Sequence, residues 1–245
     1  VVEKVNNKCL TRYSERYLRA NNTYGTRYVY KYNCNKPRHP GKDNKPVPVR
    51  RPKDPNDITG PSGKGSPRYI ARSEELPYKI RFENVAAATA PALRVDINNE
   101  LEEKFNIRDF RLDQVGWGDT IIQLPRTSYF SGSFDLGPAY LNHTLKLVAG
   151  IDPLNSRAFW NFSTIDPATG GSPSDPEAGF LPPNDSTGIG EGFVTYVIKA
   201  VDDAEAGSEL QNQAVIIFDE EQSLATNTWI NTIAVEGTES FVDGL

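Results

Sequence analysis

Methionine is absent from this 245-residue chain, and cysteine and histidine occur only twice each, as Cys9 and Cys34 and as His39 and His143. Two cysteines do not make a structural zinc site alone, and the two histidines stand far apart in sequence. No apolar run is long enough to span a bilayer. The opening VVEKVNNKC has no apolar core of the kind a signal peptide needs. With no Met even at position 1, the simplest reading is a mature or excised piece of a longer protein.

Catalytic templates are missing as well. The sequence has no GxSxG, no HExxH, no Walker loop and no GxGxxG following a strand signal. A nucleophile–histidine pair would have to use His39 or His143, both in segments that read as open linker or loop. Carboxylate pairs such as Asp219 with Glu221 exist, but no aromatic cleft accompanies them in the sequence. The expectation is a chain that is not an enzyme, with a secreted hydrolase on a sandwich scaffold as the catalytic alternative.

What is present is a strong charge partition. Residues 1–75 carry 17 Lys and Arg against 7 Asp and Glu, whereas the remainder carries 10 against 25, within a net charge of −5. A basic segment on an acidic body suits nucleic acid, or docking on the body of the same or another copy. No nucleic-acid module motif accompanies it, which favours docking.

Both cysteines lie in the basic segment. A small segment with little core of its own gains stability from a cross-link in an oxidising compartment, so a Cys9–Cys34 disulfide is expected, the alternative being two unpaired thiols. Sequons at Asn21, Asn142, Asn161 and Asn184 are candidate N-glycosylation sites. Chance supplies about half that number at this composition.

Alternation marks the strands. In TRYVYKYNC, Tyr28, Tyr30 and Tyr32 share one face, with CLTRYSERYLR as the partner strand. Such a stripe could stack on sugars, or cover a neighbouring sheet. Residues 1–35 therefore read as a small disulfide-linked β arm, and 36–53, rich in proline and basic residues, as an extended linker. Residues 54–245 read as the main domain. Strand signals run through YKIRFENV, ALRVDINNEL, FRLDQVGWGDT, TIIQLP and SGSFDLG. A hairpin is expected in LKLVAGIDPLNSRAFWNFSTI, turning at DPLNSR. GFVTYVIKAV and LQNQAVIIFD, the most apolar, belong at the centre of the sheets, and WINTIAVEG closes the domain. Only NNELEEKFN suggests a helical turn. About nine evenly spaced strands with turn chemistry between them argue an all-β, antiparallel two-sheet, immunoglobulin-like sandwich.

The long stretch SDPEAGFLPPNDSTGIGEGF, residues 174–193, has neither period. As a crossover between sheets, its prolines would fix the path, and Phe180 and Leu181 could plug the open end of the core. Oxygen-bearing side chains concentrate here and in DPNDITG. Asp54, Asn56, Asp57, Asp175, Asn184, Asp185 and Glu191 are candidate calcium ligands, because hard cations take several oxygens from flexible loops. DPNDITG departs from an EF-hand, with Gly60 at the seventh loop position and Gly65 where a bidentate Glu belongs. The same residues serve as self-capped turns, so both readings stand.

The ordered blocks DPNDITGPSGKG, LPYKIRFEN, FRLDQVGWGD, AGIDPLNSRAFWNFSTIDPATGGSPSDPEAGFLPPNDSTGIGEGFVTYVIK and NQAVIIFDEEQSLATNTWINTI carry a resemblance. From about Asp54 to Gly237 the chain resembles a β-sandwich module near the C-terminal ends of very large secreted or surface proteins of bacteria and some microbial eukaryotes. There it often stands beside adhesin-type, polycystic-kidney-disease-type or Rhs/YD-type repeats. The last block departs from the usual Phe-Asp-x-Asn-x-Pro-Ile, since Glu221 and Ser223 hold the Asn and Pro positions. The resemblance implies an extracellular structural or adhesive role without catalysis, and supplies no ligand. The expected partners are neighbouring modules or copies of the chain in a filament or surface layer, with no nucleic acid and no membrane span. The alternative is a carbohydrate-binding module using Tyr28, Tyr30, Tyr32 and Trp117.

Overall fold

A computed structural model of the chain describes residues 55–219 and 223–235, together with the backbone of three strands nearer the N-terminus. Those three are β1 (Val2–Val5), β2 (Lys8–Leu18) and β3 (Tyr24–Tyr32). The body begins with β4 (Asp57–Thr59), β5 (Tyr69–Ile70), β6 (Leu76–Glu83) and β7 (Arg94–Glu100). Next come β8 (Phe105–Trp117), β9 (Thr120–Gln123) and β10 (Tyr129–Asp135), then β11 (Thr144–Asp152) and β12 (Arg157–Ile165). The remaining strands are β13 (Glu191–Ala200), β14 (Glu209–Asn212), β15 (Ala214–Phe218), β16 (Leu224–Ala225) and β17 (Trp229–Ile233).

Hydrogen bonding arranges these strands in three sheets. The first runs β1-β2-β9-β8-β13-β6-β4, with β3 paired on β2. The second runs β10-β11-β12-β7-β15-β16, and a small third sheet runs β14-β17-β5. All pairings are antiparallel except β2 with β9 and β17 with β5. The first two sheets face each other, so the body is an all-β, immunoglobulin-like sandwich.

Period-two alternation explains the layering. On β6, Leu76, Tyr78, Ile80 and Phe82 are buried while their neighbours face outward; on β12, Ala158, Trp160, Phe162 and Thr164 do the same. The two inner faces meet ring against ring, with Phe82 5.7 Å from Phe162 and Phe110 6.1 Å from Trp160 between centroids. Such tilted contacts suit the aromatic quadrupole and add to burial.

The expected hairpin is present as β11–β12, in register from Thr144↔Ile165 to Asp152↔Arg157. GFVTYVIKAV is central, as β13 between β8 and β6. Two expectations are corrected. LQNQAVIIFD is two strands in two sheets: β14 pairs with β17, and β15 with β7 and β16. Leu210, Asn212, Ala214, Ile216 and Phe218 are buried on one unbroken alternation, so the pattern carries no mark of the change of sheet. WINTIAVEG supplies β17, the last described strand, in the third sheet. In place of a helical turn, NNELEEKFN makes the end of β7 and a tight turn in which Phe105 N–H donates to the Glu102 carbonyl at 2.9 Å.

Candidate functional site

The unpatterned crossover between β12 and β13 closes one end of the sandwich. Asp175 caps a short 3-10 turn, accepting from the Glu177 N–H at 2.9 Å, and the chain then drives Phe180 and Leu181 into the core. Phe180 stacks on Phe162 at 5.7 Å and meets Trp117 edge-on at 6.5 Å. Full burial of each such side chain contributes about 1.5–3 kcal/mol. Leu181 is bridged to Ala92, and the Asn84 amide donates to the carbonyls of Ala90 and Leu181 at 3.1 and 2.9 Å. The return needs Gly190, where a Cβ would stand 2.5 Å from the Asn184 nitrogen.

The oxygens of this loop serve the loop itself. Asn184 Oδ1 accepts from the N–H groups of Asp185 and Gly190, and Asn184 Nδ2 stands 3.5 Å from Glu191 Oε1. Asp185 accepts from the hydroxyl and backbone N–H of Thr187, which hold its carboxyl below the usual carboxylate range. In DPNDITG, Asn56 Oδ1 accepts from the Glu83 N–H, and the Asp57 carboxylate is gripped at both oxygens by Arg81, at 2.6 and 2.7 Å. The Asp57 side chain is 3% exposed. Asp54 lies outside the described residues. Thus both loops reach the end of β6, at Glu83 and Asn84, yet the candidate calcium ligands bond to amides, a hydroxyl and a guanidinium. Among the described residues, no group of three His, Cys, Asp or Glu is gathered as a metal would need.

The aromatic candidates divide. Trp117 is 4% exposed, its ring packed 5.6 Å from Phe134 as well as against Phe162 and Phe180. A buried indole presents no stacking face to a sugar, which corrects its reading as a glycan contact. Tyr28, Tyr30 and Tyr32 stand on β3 opposite Ser14, Arg12 and Leu10 of β2, and their side chains lie outside the described residues. The thiols of Cys9 and Cys34 and the sequon at Asn21 lie outside them too. Of the other sequons, Asn142 is exposed in a left-handed turn, while the Asn161 amide donates to Asp96 Oδ1 at 2.7 Å in mid-strand.

The outer face of the six-stranded sheet holds two open hollows that the sequence did not reveal. One, of about 600 Å³, has Val215, Ile217 and Asn98 on the sheet, with Glu100, Arg157 and Gln213 around them. The other, of about 610 Å³, lies between Leu93, Arg94, Ser163, Ile165, Ser172 and Asp219. Asp96, on the strand that contributes to both, is paired with Arg94 at 2.7 Å. Amides, carboxylates and aliphatic side chains together suit contact with an extended chain. These outward positions read as ordinary polar alternation in the sequence, since depth depends on how flanking strands rise above the sheet.

Beneath that face lies a buried polar ring. The Tyr196 hydroxyl donates to Asn99 Oδ1 at 2.6 Å, Asn99 Nδ2 to Asn212 Oδ1 at 2.7 Å, and Asn212 Nδ2 to the Tyr196 oxygen at 2.7 Å. These residues come from β13, β7 and β14, one from each sheet. Tyr78 stacks on Tyr196 at 5.4 Å. Asn212 also stands near the Tyr78 hydroxyl, which is buried with no partner in hydrogen-bonding geometry. Burial pushes both phenols well above their ordinary value.

A family described as a domain of unknown function (DUF7619) matches residues 54–116 and 178–232. No curated protein matches the sequence. Among solved structures, the chain is similar to domains D2 and D3 of the major pilin SpaD from Corynebacterium diphtheriae, with 16% identity, TM-score 0.40, and 71% of this chain and 51% of that one covered. It is similar to the N-terminal domain of the Streptococcus gordonii adhesin Sgo0707, with 13% identity, TM-score 0.40, and 75% and 33% covered. A collagen-binding domain from a Staphylococcus aureus adhesin gives 9% identity, TM-score 0.34, and 76% and 100% covered. The chain thus spans about half of the pilin fragment and a third of the streptococcal one. At these identities no residue role carries across. No helix among the described residues is long and apolar enough to cross a membrane.

Proposed function

We propose that this chain is a non-catalytic structural or adhesive module of an extracellular or cell-surface assembly, in which the basic N-terminal strands meet the acidic body of a neighbouring module. The observation that carries this reading is the way β2 joins the body. Its partners along most of its length are β1 and β3, and it reaches β9 only at Arg16↔Ile122 and Tyr17↔Gln123. A strand that is paired chiefly within its own arm, yet extends the sheet of the body, can dock on its own body or on the next.

The charge partition gives that docking a direction. In this reading residues 1–35 are the arm, stapled by Cys9–Cys34, 36–53 the linker, and 54–245 the sandwich. Self-association of the whole chain, measured by sedimentation in rising salt, tests it. Screening beyond the Debye length of about 8 Å at physiological strength should weaken the contact, and association with no salt-dependent component removes the proposal's support.

A second reading, contact with an extended chain such as a glycan or peptide, is favoured by the two hollows on the outer face of the six-stranded sheet. Binding of the whole chain to a polysaccharide and peptide panel, lost on Asn98→Ala, supports it. A panel that stays silent ends it.

A further inference from the structure

The six-stranded sheet ends on β10, and among the described residues nothing pairs with its outer side. Several other ends are handled differently. At β4, the Asn227 side chain imitates a neighbouring strand, accepting from Ile58 N–H at 3.0 Å and donating to its carbonyl at 3.1 Å. At β16 the edge is only two residues long, and β9 carries β2. β3, which ends its branch of the first sheet, includes Arg27 and Lys31. β10 has seven residues, no proline, no lysine or arginine, and one charge, Asp135, at its last position. Sheet edges are normally guarded by such devices, because unpaired N–H and C=O groups recruit another strand.

The sequence of β10 is self-complementary. Phe130-Ser131-Gly132-Ser133-Phe134 reads the same in both directions. Its hydrogen-bonding phase is fixed by its neighbours: Leu136 N–H donates to the His143 carbonyl at 3.1 Å, and Ile151 N–H to the Ser128 carbonyl at 3.0 Å. Those pairs continue the β10–β11 register, so even-numbered residues of β10 face β11 and odd-numbered ones turn their backbone groups to the free side. Tyr129, Ser131, Ser133 and Asp135 are the exposed, odd-numbered set. The Tyr129 carbonyl already accepts from Thr127 Oγ1 at 2.8 Å, which leaves Ser131 and Ser133 as the centre of the free edge.

We propose that β10 pairs antiparallel with β10 of a second copy of this chain, about a two-fold axis at Gly132, joining two six-stranded sheets into one. Ser131 of each copy then faces Ser133 of the other as a hydrogen-bonded pair. The two glycines meet at a non-hydrogen-bonded pair, where Cα atoms approach to about 4.5 Å. Gly132 suits that position from the core side as well, since a Cβ there would stand 2.6 Å from the Phe130 ring. On the inner face, Phe130 of one copy comes opposite Phe134 of the other; within one copy these rings stack at 6.4 Å. On the outer face, Tyr129 comes opposite Asp135. The contact uses the same strand from both copies, so it closes on itself as a dimer. It is independent of the basic arm.

Sedimentation of the whole 245-residue chain tests this at about 0.5 M salt, where charge contacts of the arm are screened. The wild type dimerises. Ser131→Lys/Ser133→Lys sets like charges opposite each other twice and, compared at about 0.15 M salt where the new charges still act, weakens dimerisation about tenfold or more, whereas Ser131→Lys/Ser133→Glu sets opposite charges there and restores it. Ser133→Pro, which blocks an outward N–H without touching the bonds to β11, also abolishes the dimer, with an unchanged circular-dichroism spectrum showing that the fold persists. A monomeric wild type, or a double-lysine variant that associates as tightly as the wild type, overturns the proposal. Either result leaves the salt-dependent contact of the arm to be judged separately.

Discussion

Tyr196 on β13 donates its phenolic proton to Asn99 Oδ1 on β7 across 2.6 Å, and both residues are fully buried. This bond crosses between the sheets of the sandwich, and through Asn212 it engages the third sheet too. A buried polar ring with every member partnered fixes register between layers, and a broken one leaves unpaired groups in a dry core.

Tyr196→Phe removes one oxygen and strands two amide groups. The expected loss is about 1–3 kcal/mol of unfolding free energy, read from denaturant titration. Adding Asn99→Ala to that variant should cost less than the sum of the single changes, because the bond is already gone. Strict additivity would show that the ring is not coupled.

Alkaline pH should melt the body through the same region. The folded pKa values of Tyr78 and Tyr196 are both raised above the unfolded value of about 10, first by burial. Their contribution is therefore fully present below pH 10 and is lost as the pH climbs from there toward the folded values. Above pH 10 each phenol that ionises only on unfolding subtracts about 1.4 kcal/mol per pH unit. Tyr196→Phe should lessen the slope. A pH-stability curve equally steep in that variant would contradict the assignment.

Phe180→Ala opens the plug at the end of the core. Its ring stacks on Phe162 and touches Trp117, so the change should cost about 3–5 kcal/mol, measured as a lowered denaturation midpoint. Trp117→Ala should behave in the same way. A Trp117 variant of unchanged stability would return that side chain to the surface.

Arg81→Ala removes the guanidinium that grips both oxygens of the buried Asp57 carboxylate. Arg81 is itself 40% exposed and Asp57 3%, so a loss of about 2–3 kcal/mol is expected, below the full cost of breaking a wholly buried pair. Millimolar calcium should not shift the melting curve of the wild type, because amides, a hydroxyl and a guanidinium already engage the acidic loops. A calcium-dependent rise in melting temperature would show that the loops hold the ion.

Much of the sandwich was legible because its strands obey period-two alternation with turn residues between them. The β11–β12 hairpin shows this most plainly, turning in the DPLNSR stretch. The change of sheet at Gln213 was not legible, since burial alternates through it without a break. Nor was the polar ring: Asn99, Tyr196 and Asn212 lie far apart in sequence and look like ordinary members of their strands. Trp117 misled for a related reason. An aromatic beside Gly118-Asp119 resembles an exposed turn residue, but it sits at the end of β8, where the crossover folds over it. The acidic loops advertised a cation because the residue types that bind calcium are those that cap turns, and only geometry separates the two.

The central claim is that basic arm and acidic body hold modules together. Sedimentation of the Ser133→Pro chain, in which pairing through β10 is blocked, isolates that contact. The account predicts self-association at about 0.05 M salt that weakens by an order of magnitude or more at about 0.5 M. Association of equal strength at both salts, or none at either, would contradict it.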